Sequence, residues 1–181
     1  MLNDTRRRTL WPLPGGSDAY LDSAKTIMAM TKGGVVLHHL EQKIQKSFPQ
    51  IRSTSTSRGY VGVLITIGLL ERNSERLIDT SKMGRRFEET DDTRIIGSLL
   101  VDRVQGVDEI LDALCRRQMS YPDLREYLPD QGIHWQNAMA LRYRIWWLRA
   151  AGVIETERRS RADWLIPTSV AQQLEDGDRW C

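Results

Sequence analysis

Leu64-Ile65-Thr66-Ile67-Gly68-Leu69-Leu70-Glu71 and Leu148-Arg149-Ala150-Ala151-Gly152-Val153-Ile154-Glu155 are the two stretches that decide the fold. They lie 84 residues apart, their glycines and glutamates coincide, and their apolar positions correspond. The same offset pairs Arg58 with Arg142, Val61 with Ile145, Leu40 with Leu124 and Ile44 with Leu128. Further on the offset becomes 87, pairing Ile78 with Leu165, Ser81 with Thr168, Met83 with Val170 and Phe87 with Leu174. Matches that stay in register, broken by one short insertion at a turn, point to two similar domains in tandem.

Working outward from the glycines, each copy reads as three helices followed by a β-hairpin. In the first, Ser17 or Asp18 caps a helix with Tyr20, Ala24, Ile27 and Met28 on one face. Gly33-Gly34 breaks it, and a second helix places Leu37, Leu40 and Ile44 inward before Pro49. The cluster Ser53-Thr54-Ser55-Thr56-Ser57 offers N-caps for a third. Arg58 to Ile67 alone is ambiguous, since its Val and Ile favour strand. The counterpart Leu141, Ile145 and Leu148 recurs at helical spacing and decides for helix, so Gly68 and Gly152 fall at the left-handed position past a helix end. The hairpins follow as Leu69–Arg72 with Arg76–Asp79, and Val153–Thr156 with Asp163–Ile166. Capped helices Ser81 to Glu89 and Thr168 to Glu175 close the copies. Asp91-Asp92-Thr93 marks a boundary and caps a helix running to about Val104.

The expected fold class is mainly α with small β-hairpins, an α+β chain. Residues 1–16 read as a flexible N-terminal arm, 17–90 as the first domain and 91–181 as the second, with a linker-like tail from Asp176 to Cys181. The longest uncharged run, Gly59 to Leu70, has twelve residues, against roughly 20 for a membrane span. With no signal peptide and only Cys115 and Cys181, the chain is expected in reducing cytoplasm, with Cys115 a packed thiol. Residues 1–90 carry 14 basic and 9 acidic groups, and the remainder 12 and 15. A basic first half suits a polyanionic partner.

The order helix, helix, helix, two-stranded wing, helix resembles the winged-helix arrangement. Ile78-Asp79-Thr80-Ser81-Lys82-Met83-Gly84-Arg85-Arg86-Phe87 resembles the strand-to-helix junction of prokaryotic winged-helix DNA-binding domains. Asp79 departs from the usual leucine, and Ala171 replaces Gly84 in the second copy. The resemblance implies that the third helix of each copy enters a DNA groove while the wing tracks the backbone. Taking Ile145 as the core centre, the outward face of the later helix carries Gln136, Tyr143, Trp147 and Ala150. That of the earlier one carries Arg52, Gly59, Val63 and Thr66.

The residues expected at DNA are Arg52, Ser53, Thr54, Ser55, Thr56, Ser57 and Arg58 in the first copy. In the second they are Gln136, Asn137, Arg142, Tyr143, Arg144 and Trp147, with Arg158, Arg159 and Arg161 at the wing tip. Hydroxyls and helix N-terminal amides bond phosphate, arginine also reads guanine, and an aromatic meets a pyrimidine methyl group or stacks on a base. Catalysis finds little support. Glu41-Gln42-Lys43 has the Glu-x-Lys form of nucleases but sits on a predicted helix. His38 and His39 point apart, and no Gly-rich phosphate loop or nucleophile elbow is present. No catalytic residue, metal or cofactor is expected.

Double-stranded DNA binding is therefore the leading expectation. The resemblance extends to the recognition module of a prokaryotic restriction endonuclease that reads sequence or 5-methylcytosine, with a nuclease domain elsewhere in a longer chain. A transcription or plasmid-replication regulator is the alternative within this class. The alternative outside it is a tandem winged-helix scaffold of a chromosome-condensing complex, favoured by the acidic second half and the tryptophans. Pairing with a second copy is a further expectation, and a membrane partner is not expected.

Overall fold

The computed structural model describes residues 9–135, 137–159 and 162–174. It is an α+β fold, mainly helical, with two small antiparallel hairpins, and it divides into two compact units between Asp92 and Thr93. No helix among the described residues is long and apolar enough to cross a membrane.

In the first unit a 3-10 turn at Ser17–Ala19 leads into α1 (Tyr20–Ala29), whose Tyr20, Ala24, Ile27 and Met28 are wholly buried. Neither Ser17 nor Asp18 caps α1, which begins after Ala19 without a side-chain cap. α2 (Leu37–Ser47) buries Leu40 and Ile44, and α3 (Thr54–Ile67) buries Val61, Leu64 and Ile67. Full burial of each such side chain contributes about 1.5–3 kcal/mol, which overrides the strand preference of this β-branched run. β1 (Leu70–Arg72) pairs with β2 (Ile78–Thr80), and α4 (Lys82–Thr90) follows with Phe87 inward. The segment from Thr9 to Gly16, expected to be part of a flexible arm, is docked instead. Leu10 and Leu13 are buried, and the Ser23 hydroxyl donates to the Pro14 carbonyl at 2.9 Å. Two leucines and one bond oppose the chain entropy that a polar arm would keep.

The second unit opens with α5 (Arg94–Arg103), which has no partner in the repeat. Its Gly97 lies so close to Val153 and Leu174 that a Cβ would come within 2.9 and 2.8 Å of them. Then follow α6 (Val107–Arg116), β3 (Met119–Ser120), α7 (Tyr121–Tyr127), a 3-10 turn at Leu128–Gln131 and α8 (Ala138–Ala150). The hairpin strands β4 (Ile154–Arg159) and β5 (Ala162–Pro167) and the short α9 (Ser169–Gln173) complete the unit. The second hairpin is twice the length of the first, three residues per strand becoming six.

The repeat survives into atomic detail. Gly68 and Gly152 both adopt left-handed backbone, φ 97° and 68°. The Ser81 hydroxyl donates to the Gly68 carbonyl at 2.6 Å, and the Thr168 hydroxyl donates to the Gly152 carbonyl at the same distance. The amides of Ser81 and Thr168 donate to Leu69 and Val153, both at 3.0 Å, while those of Leu69 and Val153 donate to Leu64 and Leu148, both at 2.9 Å. Hairpin registers match as well, Leu70 facing Thr80 as Ile154 faces Pro167. A third strand position, unforeseen in the sequence, also recurs. Val35 bridges Ile78 in the first unit, and Met119 pairs with Leu165 in the second.

Gly84 shows where the copies part. A Cβ there would lie 2.3 Å from the Leu69 carbonyl oxygen, whereas Ala171 occupies the corresponding place, 1 % exposed. Gly84→Ala should therefore lower stability by about 1–3 kcal/mol through overpacking. Ala171→Gly should lower it by about 1 kcal/mol, as ordinary helix propensity dictates. Urea unfolding of both variants checks this, and an unchanged midpoint for Gly84→Ala would contradict the close approach.

Candidate nucleic-acid interface

Ser53 begins the first site. Its extended backbone and its side chain, accepting from the Ser55 amide at 3.2 Å, make it the N-cap of α3. Arg52, Ser53, Thr54, Ser55 and Arg58 are exposed and Thr56 half-buried, so most of the expected cluster surrounds one open helix start. Ser57 does not belong to it. It is fully buried and donates to the Ser53 carbonyl at 3.3 Å, tying the first turn together.

Arg58 reaches back to α2. Its Nε donates to Glu41 Oε1 at 2.7 Å, and Glu41 is 1 % exposed while the arginine side chain is 66 % exposed. The hydrogen bond and the charge of Glu41 raise the Arg58 pKa, so its cation is committed to a buried carboxylate. Glu41, part of the Glu-x-Lys spacing, is thus spent on Arg58. Further along α3 the expected outward face is covered. Val63 is buried, and Gly59 lies beneath the Trp11 ring, where a Cβ would sit 3.5 Å from the indole. The helical projection missed this because the covering residues come from the segment before α1.

In the second unit Asn137 is exposed and caps α8, its side chain accepting from the Ala140 amide at 3.0 Å. Arg142 is exposed and stands 5.6 Å from the Tyr121 ring centre, and the Tyr121 hydroxyl donates to the Ala138 carbonyl at 2.9 Å. Tyr143 is half-buried beside Trp146, with ring centres 5.7 Å apart. Gln136 and Arg161 lie outside the described residues.

Two expectations are overturned here. Trp147 is wholly buried, so it presents no aromatic face. Arg144 is wholly buried as well. Its Nε donates to the Gln105 carbonyl and its Nη1 to the Ala140 carbonyl, both at 2.7 Å, and its guanidinium stacks 4.7 Å from the Trp135 ring centre. Burial lowers its pKa to about 10, with the Glu109 charge acting the other way. It is a structural arginine. A charge buried on backbone carbonyls leaves no mark in local sequence, which is why Arg142 and Arg144 read alike beforehand. Cys115 is corrected too. It is half-exposed and disulfide-bonded, and the other cysteine of the sequence lies outside the described residues.

On the β4–β5 hairpin Arg158 is exposed and pairs with Asp163 at 2.8 Å across the strands. Arg159 pairs with Glu157 at 2.6 Å, which raises the arginine pKa and lowers that of the carboxylate. Its guanidinium also stands 5.4 Å from the Trp164 ring centre. Arg158 and Arg159 are thus partly neutralised by neighbours on their own hairpin. Arg125, absent from the expected set, is exposed on α7 at the position where the first unit has Glu41. The 84-residue offset could have found this exchange of acid for base.

Among the described residues no group of three His, Cys, Asp or Glu side chains is placed to hold a metal ion. Comparison with protein-family models, curated proteins and solved structures finds no match for the chain.

The contrast between neighbouring arginines on α8 is measurable. Arg144→Ala leaves the Gln105 carbonyl without its donor, at about 1–3 kcal/mol, and removes the packing against Trp135, so it should lower stability by at least about 2 kcal/mol in urea. Arg142→Ala should stay within about 0.5 kcal/mol of the parent. Equal losses would show that Arg144 is not the buried member of the pair.

Proposed function

We propose that each unit is a winged helix and that the chain binds double-stranded DNA. The carrying observation is the open, hydroxyl-rich start of α3, where Arg52, Ser53, Thr54 and Ser55 are all exposed around the first helical turn. The order of elements supports the reading in both units. A helix leads to a short extended position (a lone bridge at Val35 in the first unit, β3 in the second), a pair of helices and a hairpin whose second strand takes it up. This is the winged-helix sequence of elements, with α2–α3 and α7–α8 as helix-turn-helix pairs.

Helix N-terminal amides and hydroxyls bond phosphate oxygens, and arginine adds charge-assisted bonds to phosphate or to guanine. In the second unit Asn137 and Arg142 occupy equivalent places, with Arg125 beside them in the sequence pattern. Arg58 and Arg159 contribute less than their charge suggests, because Glu41 and Glu157 hold them. Burial of Trp147 removes one of the aromatics offered for reading a methylated base and leaves half-buried Tyr143 and Trp146, so binding by phosphate positioning with hydrogen-bond readout is the form we favour. Membership of a prokaryotic restriction endonuclease as its DNA-recognition module rests on the resemblance of tandem winged helices to modification-dependent restriction enzymes.

A salt titration of a labelled duplex, followed by fluorescence anisotropy, tests the proposal. Affinity should fall steeply with salt. Arg52→Ala should weaken binding at every sequence tested and reduce the logarithmic salt slope by about 1. Arg58→Ala should change the slope less, since its charge is already matched. Absence of binding at low ionic strength would overturn the reading.

A further inference from the structure

The same scaffold occurs twice in this chain, so each surface position has an internal control. One surface has changed in nearly every residue. In the second unit Arg117, Met119, Asp123, Glu126, Tyr127, Asp130 and Trp164 line a cleft between α7 and β5 of about 590 Å³. The corresponding residues of the first unit are Gly33, Val35, His39, Gln42, Lys43, Lys46 and Leu77. Lys43 and Lys46 have become Tyr127 and Asp130, His39 and Gln42 have become carboxylates, and Leu77 has become Trp164. The first unit folds with none of these groups, so the fold does not demand them.

The chemistry of the altered residues converges. Three carboxylates and one guanidinium leave the cleft with net negative charge. Asp123 spends one oxygen on the α7 cap, where Oδ2 accepts from the Ser120 hydroxyl at 2.7 Å. Glu126 and Asp130 are exposed, and neither has an ion-pair partner among the described residues. Tyr127 and Trp164 supply two half-buried rings. Each ring already has a cation near its face, Arg117 standing 5.9 Å from Tyr127 and Arg159 5.4 Å from Trp164. Aromatic faces beside carboxylates attract alkylammonium and guanidinium groups, which gain both ring and charge contacts. Phosphate-bearing ligands are repelled by the same charge.

We infer that the α7–β5 cleft of the second unit is a binding site for an organic cation, the alkylammonium or guanidinium group of a basic peptide side chain or a free polyamine. This site is separate from the start of α3 and does not depend on the DNA-binding reading.

The test uses the full chain, ¹⁵N-labelled on its tryptophan indoles, with the Trp164 signal assigned through Trp164→Phe. It is titrated with spermidine, with a Gly-Arg-Gly-Lys-Gly peptide and with the Gly-Gln-Gly-Gln-Gly control. The Trp164 signal should move saturably with at least one cation and stay still with the control. Response to the peptide alone identifies a side-chain site, and response to spermidine alone a polyamine site. The double variant Glu126→Gln with Asp130→Asn, both exposed, should weaken binding by about tenfold or more. Trp164→Leu with Tyr127→Lys, which restores the first unit's residues, should abolish it, and an unchanged melting curve for the first variant keeps the result interpretable. Equal shifts with the glutamine peptide, no saturation with either cation, or a shift by thymidine monophosphate in their place would overturn the assignment.

Discussion

A single hydroxyl-to-carbonyl hydrogen bond, made once in each unit, holds the rest of the architecture in place. Ser81 and Thr168 donate to the carbonyls of Gly68 and Gly152, the left-handed residues after the third helices. The same side chains also cap the last helices, Ser81 accepting from the Gly84 amide at 2.9 Å and Thr168 from the Val170 amide at 3.2 Å. One hydroxyl thereby joins the end of one helix to the start of another across the base of the hairpin. This fixes where the hairpin leaves the helix, and the third helix in turn presents its opposite end to solvent. Only glycine reaches the left-handed backbone cheaply, which accounts for the coincidence of the two glycines.

Duplication leaves the internal ties constant and lets the surfaces diverge. Gly84, locked against the Leu69 carbonyl, becomes Ala171. Glu41, buried beneath Arg58, becomes exposed Arg125. The surface of Lys43 and Lys46 becomes acidic and aromatic. Such changes are ones the shared fold does not demand: the first unit carries hydroxyls and Arg52 at its helix start, and the second an acidic cleft with two aromatic rings, the surfaces on which the two proposals rest.

The helices, both left-handed glycines and the hairpin positions were legible in the sequence because two copies resolved what one left ambiguous, as with the β-branched run ending at Ile67. The third strand was not legible. Val35 forms a lone bridge and Met119–Ser120 spans two residues, too short for any alternation to register. The open start of α3 was legible through its hydroxyl cluster. The fates of Val63, Arg144 and Trp147 were not, because a helical projection assumes one core side and one solvent side. A helix covered from more than one direction breaks that assumption, and the covering groups, such as Trp11 over Gly59, come from remote sequence.

The most direct measurement is a backbone amide spectrum of the ¹⁵N-labelled chain, recorded while duplex DNA is added. The account predicts that the changes concentrate at Arg52 to Arg58 and at Asn137 to Arg142, with Arg125 beside them and the Trp164 indole in the α7–β5 cleft undisturbed. Changes confined to the α7–β5 cleft, or none at any protein-to-duplex ratio, would contradict it.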